Sequence, residues 1–530
     1  MISDEFNAAA YFVDRQVLNG RGDRVAIEYA DERITYEQLW TRVNQVGNAL
    51  RHKLDLRMEE RLLLLLLDGP EFAYSFFGAI KIGAVPVPVN TLLKPNDYEY
   101  LLNDCRARVV IVSAPLLATL RQVRREKLSF LQHVVVVGDH DSEAIPFSDI
   151  VSAECPDLDP APTRKDDVAF WLYSSGSTGT PKGCVHLQHD MVVATDLYAR
   201  GVLKINQDDR CFSAAKLFFA YGLGNALYFP LAVGATSILT PHSSSPQNVY
   251  ATIERHKPTL FFSTPSNFAA LMHVTRERSE FDLSSLRYAV SAGEPLPAAL
   301  FHKFKARFGV DILDGIGSTE ALHIFISNRP GAIRPGSSGQ IVPGCDCKVL
   351  DEDEERVPRG ELGTLWVEYD AACSQYWNQH EKTKCTIQGH WICTGDKYRE
   401  DEDGYFWYSG RSDDMLKVSG MWVSPAELEA VLAEHDDVVE AAVVAHKDGD
   451  DLVKPLAWVV LRNGVKGDPE LARALQEYVA SRLPAYKRPR WVEFVPELPK
   501  TVTGKIQRFK LREPGLSRNN DEESRQGNNQ

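Results

Sequence analysis

The chain has 530 residues, too many for one ordinary domain and enough to bury a large core without disulfide or metal staples. Its 44% hydrophobic and 25% charged content is that of a packed soluble globule. A formal net charge of −14 excludes non-specific nucleic-acid binding, which needs a basic surface, although local donors in one cleft can still hold a nucleotide.

In chain order, the opening MISDEFNAAAYF carries acids where a secretory signal would carry positive charge. Glu37–Arg51 sets Leu39, Val43, Val46, Ala49 and Leu50 on one face and predicts an amphipathic helix. Leu62–Leu67 is an apolar run of six residues, against the ~20 of a membrane helix, and predicts a buried strand. Arg108–Ser113 and His133–Gly138 predict two more. This alternation of β-branched runs with helical patterns, from about Asp23 to Val342, predicts parallel α/β sheets with ligands at the carboxyl ends of strands. After about Asp413 the pattern restarts as a compact α+β unit. Ser424-Pro425-Ala426-Glu427 reads as a capping box with proline at the first helical position, followed by a core face of Leu428, Val431 and Leu432. Val438–Val444 and Leu456–Leu461 read as strands, and Asp468-Pro469 opens a helix with Leu471, Leu475, Tyr478 and Val479 on one face. From about Glu513 the residues have almost nothing to bury, which predicts a disordered tail.

The expected class is α/β: a large N-terminal domain of α/β sheets with helices over residues 1–413, a small C-terminal α+β domain over 414–512, and a tail over 513–530. The nine cysteines are an odd number with no CxxC pair, and Cys345-Asp346-Cys347 lacks a second pair of ligands at zinc spacing. Reduced thiols in the cytoplasm are the expectation. The final Asn-Asn-Gln matches no peroxisomal address or lipid anchor, so no membrane partner is expected.

The sharpest local signal follows the strand Val168–Leu172. Tyr173-Ser174-Ser175-Gly176-Ser177-Thr178-Gly179-Thr180-Pro181-Lys182-Gly183 combines hydroxyls, glycines and a lysine. Glycines let backbone N–H groups approach phosphate oxygens, hydroxyls donate further bonds, and Lys182 adds positive charge. The segment is not a Walker A loop; the plainer alternative is a flexible polar turn.

With this loop come five further blocks in order: Gly315-Ile-Gly-Ser-Thr-Glu320, Thr394-Gly-Asp396, Tyr408-Ser-Gly-Arg411-Ser-Asp413-Asp414, Lys417-Val-Ser-Gly420 and Thr503-Gly-Lys505. Together they resemble the adenylate-forming superfamily of acyl-CoA synthetases, luciferases and peptide-synthetase adenylation domains, over nearly the whole chain. The resemblance implies ATP, Mg²⁺ and coenzyme A as cofactor and co-substrates. It makes Ser174, Ser175, Gly176, Ser177, Thr178, Gly179 and Lys182 the phosphate cradle, Thr319 a hydroxyl for phosphate, and Glu320 the Mg²⁺ ligand. Asp396 would accept from both ribose hydroxyls, and Arg411 would bind near the ribose and α-phosphate. Lys505 would place its charge on the pentavalent phosphoryl centre and carry adenylation. Taken alone, Glu320 reads as a solvated carboxylate, Arg411 as half of a surface ion pair and Lys505 as solvent-exposed. The family also implies that the C-terminal domain is mobile, rotating about a hinge at Asp413 between adenylating and thioester-forming poses, with Gly420 lining the pantetheine path.

Two further segments, Lys216-Leu-Phe-Phe-Ala-Tyr-Gly-Leu-Gly224 and Leu322-His-Ile-Phe-Ile-Ser327, resemble benzoate–CoA ligases. In that subfamily Ala220, Tyr221, Ala292, Gly317, His323 and Ile324 match positions that wall the aryl pocket, small residues leaving a flat slot and larger ones supplying apolar faces. His323 also reads as an ordinary interior histidine. Phe218 and Phe219 are expected to point opposite ways on a strand, with at least one in the core. His186 and His189 have no metal-like partner set and receive no catalytic role.

The implied reaction is ATP-dependent activation of benzoate or a related aryl carboxylate to acyl-AMP, then transfer to coenzyme A, giving aryl-CoA, AMP and pyrophosphate. The competing reading is an aryl-acid adenylating enzyme that loads a carrier protein in trans, because only ~25 residues follow Lys505, far below domain size. A monomer or homodimer is expected. Pro499-Lys-Thr-Val-Thr-Gly-Lys505 resembles the segment acetylated in related synthetases, which implies a lysine acetyltransferase and deacetylase acting on Lys505.

Overall fold

The computed structural model describes residues 2–139, 144–174, 181–274, 281–412, 414–418, 421–448, 452–484, 487–500 and 506–512. The fold is mixed α/β and divides into two compact units, each described by itself. The larger comprises Met1–Cys347 with Val367–Cys393; the smaller comprises Lys348–Trp366 and the chain from Thr394 onward. Residues 348–366 and 394–412 thus group with the C-terminal segment, whereas a division at Asp413 would assign them to the N-terminal domain. They are β-structure joined in one sheet, Asp346–Leu350 with Gly363–Glu368, that strand with Trp391–Glu400, and the last with Phe406–Arg411.

In the larger unit a nine-stranded sheet has six parallel strands at its centre: Val25–Tyr29, Thr236–Leu239, Arg210–Ser213, Leu260–Ser263, Tyr288–Ser291 and Ile312–Gly317, in that spatial order. Antiparallel strands finish it, Glu32–Thr35 at one edge and Ile324–Ser327 with Gln340–Ile341 at the other. A second sheet is wholly parallel: Val85–Pro88, Arg61–Leu65, Val109–Ser113, His133–Val137 and Ile145–Pro146. Both faces of its centre are covered, which is why these strands read as unbroken apolar runs. The third sheet joins Val168–Ser174, Lys182–Leu187 and Gln375–Tyr376, all antiparallel.

Local chemistry fixes the helix starts. The Thr35 hydroxyl accepts from Gln38 N at 3.2 Å while the Gln38 side chain accepts from Thr35 N at 2.9 Å, opening the helix Tyr36–His52. Phe218 and Phe219 do not occupy a strand. They lie in the turn between Ser213 and the short helix Ala220–Leu223, where the strand period of two does not govern them.

The smaller unit contains the sheet Val438–Lys447, Val453–Leu461 and Trp491–Phe494. Helices Pro425–Ala433 and Pro469–Ala480 pack Leu428, Leu432, Leu475 and Val479 against Val443 and Val459 on one face. Ala442, Val444 and Trp458 face the other way, where Leu498 and Leu511 cover them. Ser424 caps the first helix through Glu427 N at 3.2 Å, but the box is only half formed: the Glu427 carboxylate turns instead to Lys487 Nζ.

Candidate active site

Three neighbouring parallel strands of the nine-stranded sheet line up Ser263, Ser291 and Asp314 at one end, the end at which such sheets receive ligands, and the third runs on to Gly317. Ala292 follows Ser291 directly, its N–H donating to the Ser263 carbonyl at 3.3 Å. The chain turns after Gly317 and comes back as Ile324–Ser327, with Gly317 opposite Ile324 and a bulge between Ile316 and Gly317. A Cβ at Gly317 would overlap the His323 carbonyl oxygen. Glycine is therefore required there by the approach of two backbones, and the opening of a slot is secondary.

The other wall residues assemble around this corner. Tyr221 Oη donates to the Val290 carbonyl at 3.0 Å, which spreads its ring across the strand ends. His323 is 2% exposed, with its ring 5.7 Å from that of Tyr221, 5.3 Å from Tyr198 and 4.4 Å from Phe229. Burial pushes its imidazole pKa down to about 3, so the ring is neutral near physiological pH. Ala220 and Ile324 are buried beside these groups. The result is an uncharged wall of aromatic and small residues.

Two and three residues beyond Gly317 stand Thr319 and Glu320. Glu320 Oε1 accepts from Tyr376 Oη at 2.7 Å and from Ser174 Oγ at 3.3 Å, and its carbonyl accepts from Cys373 N at 2.7 Å. Lys182, opposite Ser174 in the hairpin, lies 3.5 Å from Tyr376 Oη and 4.6 Å from the ring centroid. Burial, with the Glu320 charge behind it, raises the Tyr376 pKa, so its hydroxyl stays protonated and donates. The chain leaves the glycine-rich segment as a strand, Lys182–Leu187, whose first residue carries positive charge.

This donor set suits Mg²⁺. One carboxylate beside hydroxyls leaves the remaining positions to phosphate oxygens and water, and no cluster of three metal-binding side chains occurs among the described residues. Tyr376 was not legible as a site residue. Its only signal is the pairing of Tyr376 with Cys184, a contact across nearly two hundred positions that spacing cannot reveal.

In the smaller unit Asp396 and Arg411 are register partners on the antiparallel strands Trp391–Glu400 and Phe406–Arg411. Arg411 Nη1 donates to Asp396 Oδ1 at 3.1 Å and to the Thr394 carbonyl at 2.9 Å. Ser175, Gly176, Ser177, Thr178, Gly179, Asp413, Gly420 and Lys505 lie outside the described residues, as does the segment 513–530. On either side of Lys505's segment, Lys500 and Ile506 form an antiparallel bridge and Gln507 N donates to the Pro499 carbonyl at 2.8 Å. Just beyond, Arg508 grips Glu429 at 2.7 Å and reaches Asp414 at 3.6 Å. No helix of the described residues is long and apolar enough to cross a membrane.

Residues 13–377 match the family model described as AMP-binding enzyme, and residues 427–505 match the one described as AMP-binding enzyme C-terminal domain. A benzoate–CoA ligase of Thauera aromatica is 47% identical over 514 residues, 96% of each chain. The crystal structure of the anthranilate CoA ligase AuaEII in complex with anthranoyl-AMP is similar at a TM-score of 0.92 and 45% identity, covering 96% of this chain and 97% of that one. A benzoate CoA ligase from Burkholderia xenovorans LB400 is similar at a TM-score of 0.88 and 43% identity, covering 96% of this chain and 100% of that one.

Proposed function

The chain belongs to the AMP-binding enzyme family, and from that premise we propose that it activates benzoate or a closely related aryl carboxylate with ATP and transfers the acyl group to coenzyme A. The observation that carries this reading is the course of one segment. Gly317 closes the uncharged wall, and three residues on, Glu320 meets Ser174 and Tyr376, the latter beside Lys182. A flat acid against that wall presents its carboxylate to the phosphate-handling corner.

In the first half-reaction a carboxylate oxygen bonds to the α-phosphorus of ATP and pyrophosphate leaves. In the second, the coenzyme A sulfur bonds to the acyl carbon, AMP leaves, and the thiol proton passes to solvent. Glu320 would hold Mg²⁺, whose charge, when bound, neutralises phosphate oxygens. Tyr376 and Ser174 orient that carboxylate; Lys182 with the hydroxyls and glycines of 174–179 cradles the phosphates. Thr319 donates to phosphate, Asp396 accepts from the ribose hydroxyls, and Arg411 binds beside them. Lys505 supplies charge at the pentavalent centre. The same reading makes residues 414–512 a mobile domain hinged at Asp413, with Gly420 on the pantetheine path. It takes the enzyme to be a cytoplasmic monomer or homodimer serving aromatic-compound degradation, with Lys505 open to a lysine acetyltransferase and deacetylase.

The test is a panel of benzoate, hydroxybenzoates, aminobenzoates and furoate, assayed for acid-dependent ATP–pyrophosphate exchange and for thioester formation with free coenzyme A or a carrier protein. Exchange with aryl acids and thioester on free coenzyme A is the expected outcome. Exchange with none of these acids, or thioester only on the carrier, overturns it.

A further inference from the structure

His186 lies in the strand Lys182–Leu187 and is fully buried, its ring stacked on Phe170 at 5.2 Å and 20°. Its Nε2 donates to the Thr319 carbonyl at 2.9 Å, across 133 positions of sequence. At the other end of the ring, Nδ1 lies 2.9 Å from Asp190 Oδ2, which also accepts from Leu187 N at 3.0 Å. Asp190 is itself buried and opens the helix Asp190–Ala194, so the carboxylate is fixed from both sides. A ring anchored so firmly at one nitrogen delivers a directed donor from the other.

What it grips is a strained turn. The Thr319 carbonyl also accepts from Leu322 N at 3.1 Å, and Leu322 holds φ at +62°. A left-handed backbone is unfavourable for a non-glycine residue, so the turn needs support. That support comes from Ser318 Oγ, which accepts from Ala321 N at 3.1 Å, from Cys373 N on the Glu320 carbonyl at 2.7 Å, and from His186. The peptide plane that His186 holds joins Thr319 to Glu320. Its tilt sets where the hydroxyl and the carboxylate point.

We propose that His186, anchored by Asp190, is a positioning residue for the Thr319–Glu320 turn, and through it for the Mg²⁺ and ATP phosphates that the proposed function brings there. The inference rests on that function and adds a residue to it. His186 touches no reacting atom. Supports of this kind typically cost about 10–100-fold in metal affinity or activity when removed.

Two amide substitutions separate positioning from packing. In His186→Gln the side-chain amide reaches the place of Nε2 and still donates to Thr319. In His186→Asn it reaches only the place of Nδ1 and serves Asp190 alone. Three quantities are measured on the full chain: the Mg²⁺ concentration for half-maximal benzoate-dependent pyrophosphate exchange, the Mg²⁺-dependent rise in thermal transition temperature with a non-hydrolysable ATP analogue, and thioester formation from supplied benzoyl-adenylate and coenzyme A. His186→Asn is expected to raise the Mg²⁺ requirement about 10–100-fold and to shrink the Mg²⁺-dependent thermal rise, with the thioester step preserved. His186→Gln is expected to stay within about threefold of wild type in all three, because the bond to Thr319 survives. The inference is overturned if the two variants behave alike, or if exchange and thioester formation fall together with the transition temperature. Absence of aryl-acid-dependent exchange in the wild type would sink the proposed function instead, and the thermal rise would still judge His186.

Discussion

The Thr319–Glu320 turn and the Asp396–Arg411 corner are both assigned to the nucleotide, yet they are built differently. Glu320 is tied by Tyr376, Ser174 and Cys373 N, and Thr319 by His186. Arg411 has a side chain 44% exposed, and its partner Asp396 is 15% exposed. The first region is tied down by buried and half-buried partners; the second is more open to solvent, and in the proposed function it meets the nucleotide there. Preorganised groups act on the transition state and so appear in kcat, whereas groups that meet ground and transition states alike appear in KM.

The largest effect expected belongs to Lys505. Lys505→Ala should lower aryl-adenylate formation by about 10²–10³-fold, as loss of a charge on the phosphoryl centre does, and spare thioester formation from supplied benzoyl-adenylate. Separate stopped assays of the two half-reactions check this; an equal fall in both would break the division of labour between the units. Next comes Tyr376→Phe, which keeps the ring but removes the hydroxyl, with its 2.7 Å bond to Glu320 and its 3.5 Å contact with Lys182 Nζ. A hydrogen bond to a charged group contributes about 1.5–3 kcal/mol, so kcat for pyrophosphate exchange should fall about 10–150-fold with little change in KM for ATP. A variant altered only in KM would show that the turn is not preorganised.

Ala220→Leu probes the wall. Overpacking costs about 1–3 kcal/mol, or about 5–150-fold in kcat/KM for acids substituted on the edge facing that residue, with unsubstituted benzoate losing less and KM for ATP unchanged. The same factor for every acid would remove Ala220 from the pocket. The smallest effect is expected of Arg411→Ala, where an exposed ion pair of about 0–1 kcal/mol is lost: KM for ATP should rise about two- to fivefold with kcat retained. A large fall in kcat there would erase the contrast between the regions.

How much of this was legible in the sequence depends on the range of the interactions. The helices after Ser424 and Asp468 were, because their caps lie within three residues, at Glu427 N and at Glu470 and Leu471 N. The buried strands Val109–Ser113 and His133–Val137 were also legible, because burial on both faces leaves a continuous apolar run. The resemblance supplied Glu320 and the aryl wall. Tyr376, His186 and the grouping of residues 348–366 with the smaller unit were not legible, since each depends on a partner brought in by tertiary folding. Phe218 and Phe219 were misplaced for a related reason: two adjacent aromatics cannot tell a strand from a turn that packs them.

The backbone contact at Gly317 restricts how the enzyme can diversify. Any side chain there collides with the His323 carbonyl, so that wall is held in place by the main chain and closed to mutation. Of the three small residues of the proposed pocket, only Ala220 and Ala292 can trade volume, and Ile324 can only yield it. Under the proposed function, shifts in ring preference among descendants of this sequence are thereby channelled through Ala220, Ala292 and Ile324, and not through the glycine paired with Ile324.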